Sequence, residues 1–174
     1  MTIGRQESQR ETFARLYDEY MPKVYRYIYY RVNDTPVCED LTSSVFEKAL
    51  VNFGRYSSDK ASFSTWLFSI ARNVLIDHYR ARRPAAPLEA AADVPSQAPS
   101  PWETAERREE MRRLNQCLAA LAAEDQEIVR LKFAGELNNR QIARITGLSE
   151  SNVGTRLFRA IRKLRASFGE LADG

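Results

Sequence analysis

Apolar residues recur along this chain at three- and four-residue intervals, and no stretch alternates long enough with the period of two that marks a half-buried strand. Phe13, Leu16, Tyr20, Val24, Tyr27 and Ile28 predict a first helix, which Pro22 is expected to bend or restart. Thr35–Pro36 has the form of an N-cap followed by proline at the first helical position. Cys38, Leu41, Val45 and Ala49 continue that second helix on one face. The glycine and serines of NFGRYSSDKAS, residues 52–62, predict a loop, with Ser62 capping a third long helix. Its buried stripe is Leu67, Ile70, Ala71 and Val74. Farther on, Met111, Leu114, Leu118 and Leu121 predict one helix, and Ile128, Val129, Leu131 and Phe133 another, ended by Gly135. The predicted fold class is all-α.

Between these blocks the pattern stops. Five of the seven prolines (Pro84, Pro87, Pro95, Pro99 and Pro101) fall within RPAAPLEAAADVPSQAPSPW, residues 83–102. Proline lacks the amide donor and fixes φ, so neither helix nor strand runs through such a segment. The reading is two small helical domains, residues 1–82 and 104–174, joined by a flexible Pro/Ala-rich linker over 83–103.

The last forty residues carry the sharpest local pattern. Asn138 and Gln141 are spaced as a capping box. A short helix with Ile142, Ala143 and Ile145 follows, then Gly147 for a tight turn, Ser149 as a second cap, and a helix to about Phe168. Short helix, glycine turn and capped longer helix make a helix-turn-helix. At 100° per residue, Val153, Leu157, Ala160, Ile161 and Leu164 share the core side of the last helix. Ser151, Asn152, Thr155, Arg159 and Arg162 point away from it, with Arg156 and Lys163 on one flank and Gly154 and Phe158 on the other. Side chains near the N-terminus of such a helix reach base edges in a major groove, while basic residues farther along hold phosphates.

Charge supports this placement more by distribution than by total. The net charge is only +3, yet residues 152–167 hold five basic residues and no acid, whereas residues 84–103 hold three acids and no base. Cationic charge gathered on one element is the footprint of phosphate binding. In residues 63–83, Phe63, Trp66, Phe68 and Tyr79 lie among Arg72, Arg80, Arg82 and Arg83. That mixture suits stacking on unpaired bases beside a phosphate track, although composition alone favours a core role for the aromatics. Cys38 and Cys117 sit in no metal-binding or disulfide pattern, which points to two reduced thiols in the cytoplasm. His78 has no ligand partners at metal spacing, and Asp77 is expected to pair within its own helix, with Asn73 or Arg80. The polar start MTIGRQESQRETF and the absence of a long apolar run predict neither secretion nor membrane insertion. No catalytic set, metal site or cofactor motif is present, so an enzyme is not expected.

Order and spacing then narrow the reading. CEDLTSSVFEKAL (38–50), a polar loop, the pattern WLxxIARNxxxDxxR beginning at Trp66, a linker, and a helix-turn-helix ending RLFRAxRKLR resemble the extracytoplasmic-function branch of the sigma-70 family. The resemblance implies a promoter-specificity subunit of bacterial RNA polymerase, with two DNA-contacting domains and no chemistry or cofactor of its own. It implies core polymerase (clamp and flap), promoter DNA and an anti-sigma factor as partners. Residues 8–83 match the domain that docks on the clamp and opens the −10 element. Glu39, Asp40 and Leu41, with Glu47 later on the same helix, match the docking positions. Arg55, Ser58, Lys60 and Ser62 of the loop, with Trp66, Arg72, Asn73 and Arg80, match the −10 side; Arg82 and Arg83 extend its basic end. Residues 104–170 match the −35 reader, with Glu150, Ser151, Asn152, Thr155, Arg156, Phe158, Arg159, Arg162 and Lys163 as DNA-contacting positions.

Two departures stand out. Ser43 and Ser44 replace the Gln and Glu common in the family, which puts the later clamp contacts in question. Gly154 replaces a common Lys or Arg, so reading is expected to shift toward Thr155, Arg159 and Glu150–Asn152, and Gly154→Arg to strengthen duplex affinity broadly. A stand-alone helix-turn-helix regulator, or a protein whose basic helix meets an acidic partner, remain the readings from other classes.

Overall fold

Helix α1 (Ile3–Val32) continues through Pro22 without restarting. The missing amide would have served the carbonyl of Asp18; both residues are exposed, where the loss of one helical bond costs less than it would in a core. The helix stops at Asn33, whose φ of 48° is left-handed and whose amide donates to the Tyr29 carbonyl at 2.8 Å. Helix α2 (Thr35–Asn52) starts at once, and its cap is Asp34 rather than Thr35: the Val37 amide donates to Asp34 Oδ1 at 3.0 Å. A carboxylate is a stronger acceptor than a hydroxyl at this position. A 3-10 turn (Phe53–Arg55) and a loop lead to α3 (Phe63–Arg82), where Ser62 Oγ accepts from the Thr65 amide at 3.3 Å as its expected cap.

The structure is a computed structural model that describes residues 3–82 and 105–172, with side chains described over 9–82 and 109–167. The expected linker over 83–103, and Arg83 with it, lies outside the described residues. The chain divides into two units, Met1–Gln97 and Ala98–Gly174, each with its own core. In the first, Val24, Tyr27 and Ile28 of α1, Cys38, Val45 and Ala49 of α2, and Leu67, Phe68 and Ala71 of α3 are fully buried. Burial of this kind contributes roughly 1.5–3 kcal/mol per large side chain.

The second unit comprises α4 (Ala105–Ala119), α5 (Ala123–Phe133), α6 (Asn139–Thr146) and α7 (Glu150–Ala172). Leu118, Leu121, Ile128, Leu131, Leu137, Ile142, Val153, Leu157 and Ala160 form its core. Phe133, expected within that core, is 58% exposed. It lies five residues from Ile128, about 140° around the helix, and so faces away. The left-handed residue beyond α5 is Glu136, φ 56°, and not Gly135. No strand occurs among the described residues, and the all-α expectation holds.

Candidate nucleic-acid interface

The turn that aims α7 is built as its sequence predicts. Asn138 Oδ1 accepts from the Gln141 amide and the Asn138 amide donates to Gln141 Oε1, both at 2.9 Å. These reciprocal bonds fix the first turn of α6. Gly147 closes it at φ 79° in the left-handed region, its amide donating to the Ala143 carbonyl at 2.9 Å. The Asn152 amide then donates to Ser149 Oγ at 3.2 Å, capping α7. Val153 and Leu157 anchor α7 in the core, which leaves Ser151, Asn152, Thr155, Phe158, Arg159, Arg162 and Lys163 exposed, with Glu150 at the start. Phe158 is 65% exposed, which leaves most of a benzyl side chain in water. Ile161 and Leu164, assigned to the core side, are half-buried.

Arg156 departs from its expected role. Its Nε donates to Asp125 Oδ1 at 2.7 Å and its Nη2 lies 2.8 Å from Glu124 Oε2, so both acids of the first turn of α5 hold it. These bonds, the one to Asp125 foremost, push its guanidinium pKa up. The residue ties α7 to α5, and its charge is already neutralised within the protein. One of the five cations of the basic segment is thereby removed from the outer face. The signal was present as two acids opening α5, but sequence spacing of 31 residues hides the pairing. Gly154 is half-buried and meets α6: a Cβ there would lie 3.5 Å from Asn139 Nδ2, an ordinary contact. Arg140 and Arg144, on the outer side of α6, add exposed cations that the sequence reading passed over.

In the first unit, Trp66, Asn73 and Arg80 are spaced at seven residues, so they share one line along α3. Asn73 and Arg80 are exposed and Trp66 and Arg72 half-exposed. Trp66 packs on Tyr56 and Phe63, ring centroids 5.1 and 5.6 Å away. Tyr56 Oη in turn donates to the Ala61 carbonyl at 3.2 Å, which pins the loop carrying the exposed Arg55, Ser58 and Lys60 to this aromatic rim. Ser62 is exposed, but its hydroxyl also bonds Ser64 and Thr65, so it is chiefly a cap. Phe63 and Phe68 are buried, and Tyr79 Oη donates to the Arg31 carbonyl at 3.0 Å beneath the Arg31 guanidinium. Of the four aromatics in this segment, Trp66 alone presents itself at the loop rim. Asp77 pairs across to Lys48 of α2 at 4.0 Å rather than within its own helix. His78 stacks edge-on with Tyr79, and burial, then Arg82, lowers its pKa.

Glu39, Asp40 and Glu47 are exposed on α2, and Leu41 is half-buried. The same helix exposes Leu50 by 55% and Val51 by 83%. These were missed, although an apolar run over 49–51 is wider than one buried stripe can absorb. Ser43 is exposed and Ser44 half-exposed on this helix.

Comparison with known proteins decides the family. Residues 16–84 match the model of sigma-70 region 2, and residues 111–164 that of sigma-70 region 4. SigX of Bacillus subtilis, an extracytoplasmic-function RNA polymerase sigma factor, is 30% identical over 161 residues, covering 89% of this chain and 82% of SigX. The chain belongs to the extracytoplasmic-function sigma factors. BldN of Streptomyces coelicolor, of the same family, is 34% identical over 161 residues, 91% of this chain; the chain spans 61% of BldN's length. The fold matches that of RpoE from Bartonella quintana, solved with the anti-sigma factor NepR, at a TM-score of 0.70 and 19% identity, covering 91% of this chain and 98% of that one. No helix among the described residues is long and apolar enough to cross a membrane.

Proposed function

We propose that this sigma factor directs core RNA polymerase to its promoters by reading the −35 element as duplex with α7 and holding the opened −10 strand on α3 and its preceding loop. The observation that carries the first half is the unbroken exposed stripe Ser151–Thr155–Phe158/Arg159–Arg162, polar at the helix start and cationic beyond it. Thr155 and Asn152 are placed to meet base edges, Phe158 to touch a thymine methyl, and Arg159, Arg162 and Lys163 to hold guanine or phosphate. For the second half, Trp66 forms the floor against which an unpaired base stacks, with Asn73 and Arg80 tracking the strand. The exposed α2 face docks on the polymerase clamp, acidic at Glu39 and Asp40 and apolar at Leu50 and Val51. The C-terminal unit engages the flap. Nucleotide addition belongs to the polymerase, and the complex works in the cytoplasm. RpoE's complex with NepR supports an anti-sigma factor as the regulatory partner of this chain too.

Reconstitution tests the reading. Core polymerase plus this chain should initiate at defined sites on genomic DNA, and Arg159→Ala should abolish those that depend on a −35 match. Absence of any chain-dependent start site refutes the proposal. Retention of duplex binding with no capture of core polymerase would favour a free-standing regulator.

A further inference from the structure

Where α5, α6 and α7 meet, three side-chain positions form a small polar notch beside the reading face. Lys132 of α5 donates from Nζ to Asn139 Oδ1 at 3.4 Å. That bond fixes which end of the carboxamide faces Lys132 and turns Nδ2 the other way, over Gly154 of α7. Because residue 154 has no side chain, Nδ2 stands 3.5 Å from the point where a Cβ would be, and among the described residues the amide nitrogen has no acceptor. Ser151 and Phe158, one turn to either side of Gly154 on the same flank, are both exposed. The notch therefore opens to solvent along the edge of the stripe proposed to enter the major groove.

We infer that Asn139 is a DNA-contacting residue of this sigma factor: its carboxamide, aimed by Lys132 and uncovered by Gly154, donates to a backbone phosphate of the −35 duplex. The inference rests on the proposed −35 reading. Chemistry selects phosphate over a base edge. The notch offers an N–H donor beside an ammonium, and base discrimination by asparagine needs its carbonyl presented alongside the N–H, whereas here that oxygen is turned toward Lys132. In a docked helix-turn-helix, the first helix crosses the backbone while the second enters the groove. The carboxamide of α6 thus supplies at this flank the donor that α7 lacks at position 154.

The test uses the full chain and a −35 duplex selected by it from a random library, with affinity followed by fluorescence anisotropy across salt concentrations. Asn139→Ala should weaken binding about tenfold, as for loss of a hydrogen bond to a charged group. A neutral donor releases no counterion, so the salt slope and the base preference should stay as in wild type. Asn139→Asp preserves shape and the Lys132 bond while presenting an anion, and should weaken binding further. Gly154→Lys in the Asn139→Ala background should restore affinity and steepen the slope by about 0.9. Arg159→Ala separates the two layers: if it too is silent, the −35 reading itself fails. If Arg159→Ala weakens binding while Asn139→Asp binds within twofold of wild type, the role of Asn139 is overturned. An altered base preference in Asn139→Ala would equally overturn the phosphate assignment.

Discussion

Replacing Arg156 by alanine should damage the C-terminal unit without changing how it counts phosphates. Asp125 is only 19% exposed and Arg156 25%, so their 2.7 Å bond is a partly desolvated, charge-assisted one. Such bonds contribute about 1.5–3 kcal/mol. Glu124 is 71% exposed, and its 2.8 Å contact adds a few tenths of a kcal/mol at most by the same reasoning that devalues surface pairs. The sum is about 2 kcal/mol, and the variant also leaves a half-buried carboxylate without its partner. For a unit of this size that lowers the melting temperature by roughly 10 °C. Calorimetry of Arg156→Ala, Asp125→Asn and the double variant should give a coupling of about 1–2 kcal/mol. Arg156→Lys should recover only part, because an ammonium cannot serve both acids with a planar fork. The salt dependence of duplex affinity discriminates the alternative: a lost phosphate contact lowers the slope by about 0.9, whereas a lost internal clamp leaves it unchanged. A variant that melts like wild type and loses that slope would refute the clamp and return Arg156 to the face proposed to meet DNA.

Three further outcomes follow from the geometry. Gly147→Ala, forced to hold φ 79°, should cost the C-terminal unit about 1 kcal/mol in thermal or urea unfolding; an unchanged midpoint would show that the turn relaxes. Trp66→Ala should lose roughly 1–2 kcal/mol of N-terminal stability from its two ring contacts, and permanganate footprinting of the −10 region should show open complex falling about tenfold while −35 duplex binding persists. Cys38 is fully buried and its Sγ donates to the Tyr25 carbonyl, and burial pushes the thiol up to about 12 from 9.0. A raised native pKa means that the unfolded thiol ionises first. This contribution to stability is therefore intact below pH 9 and is lost as pH climbs through about 12. Iodoacetamide at pH 8 should modify Cys38 only at the rate of opening, and rapid labelling of native protein would contradict that.

The sequence was most legible where the determinants are local. Helical periodicity, the Asn138–Gln141 box, Gly147 and the Ser62 and Ser149 caps each act within four residues, so their chemistry can be read from spacing alone. What escaped depends on distant partners. Arg156 looks like any other arginine of a basic helix until α5 brings Asp125 beside it, and Asp77 looks paired within its helix until Lys48 arrives from α2. Phe133 was misplaced because a helix end lets an apolar residue fall outside the stripe. Asp34 outcompeted Thr35 as cap because one residue of register is decided by backbone geometry, with Asn33 in the left-handed region. The exposed face was legible on α7, where the core side dictates the outer side by subtraction. It was less so on α2, where the exposed Leu50 and Val51 lie beside the buried Ala49 and went unread.

The line Trp66–Asn73–Arg80 also constrains how this protein can change length. Its members keep alignment only while fourteen residues of uninterrupted helix separate the first from the last, a rise of about 21 Å. Deleting or inserting one residue between them turns everything beyond it by about 100°, swinging Arg80 off the line and, when the change precedes Ala71, the buried Ala71–Val74–Leu75 set out of the core. Residues 58–60, by contrast, form a short exposed turn flanked by the bond from Tyr56 to Ala61. Among descendants of this chain, gaps should collect in that turn and be purged from α3, so that the proposed −10 side diversifies by loop length and the helix behind it by substitution alone.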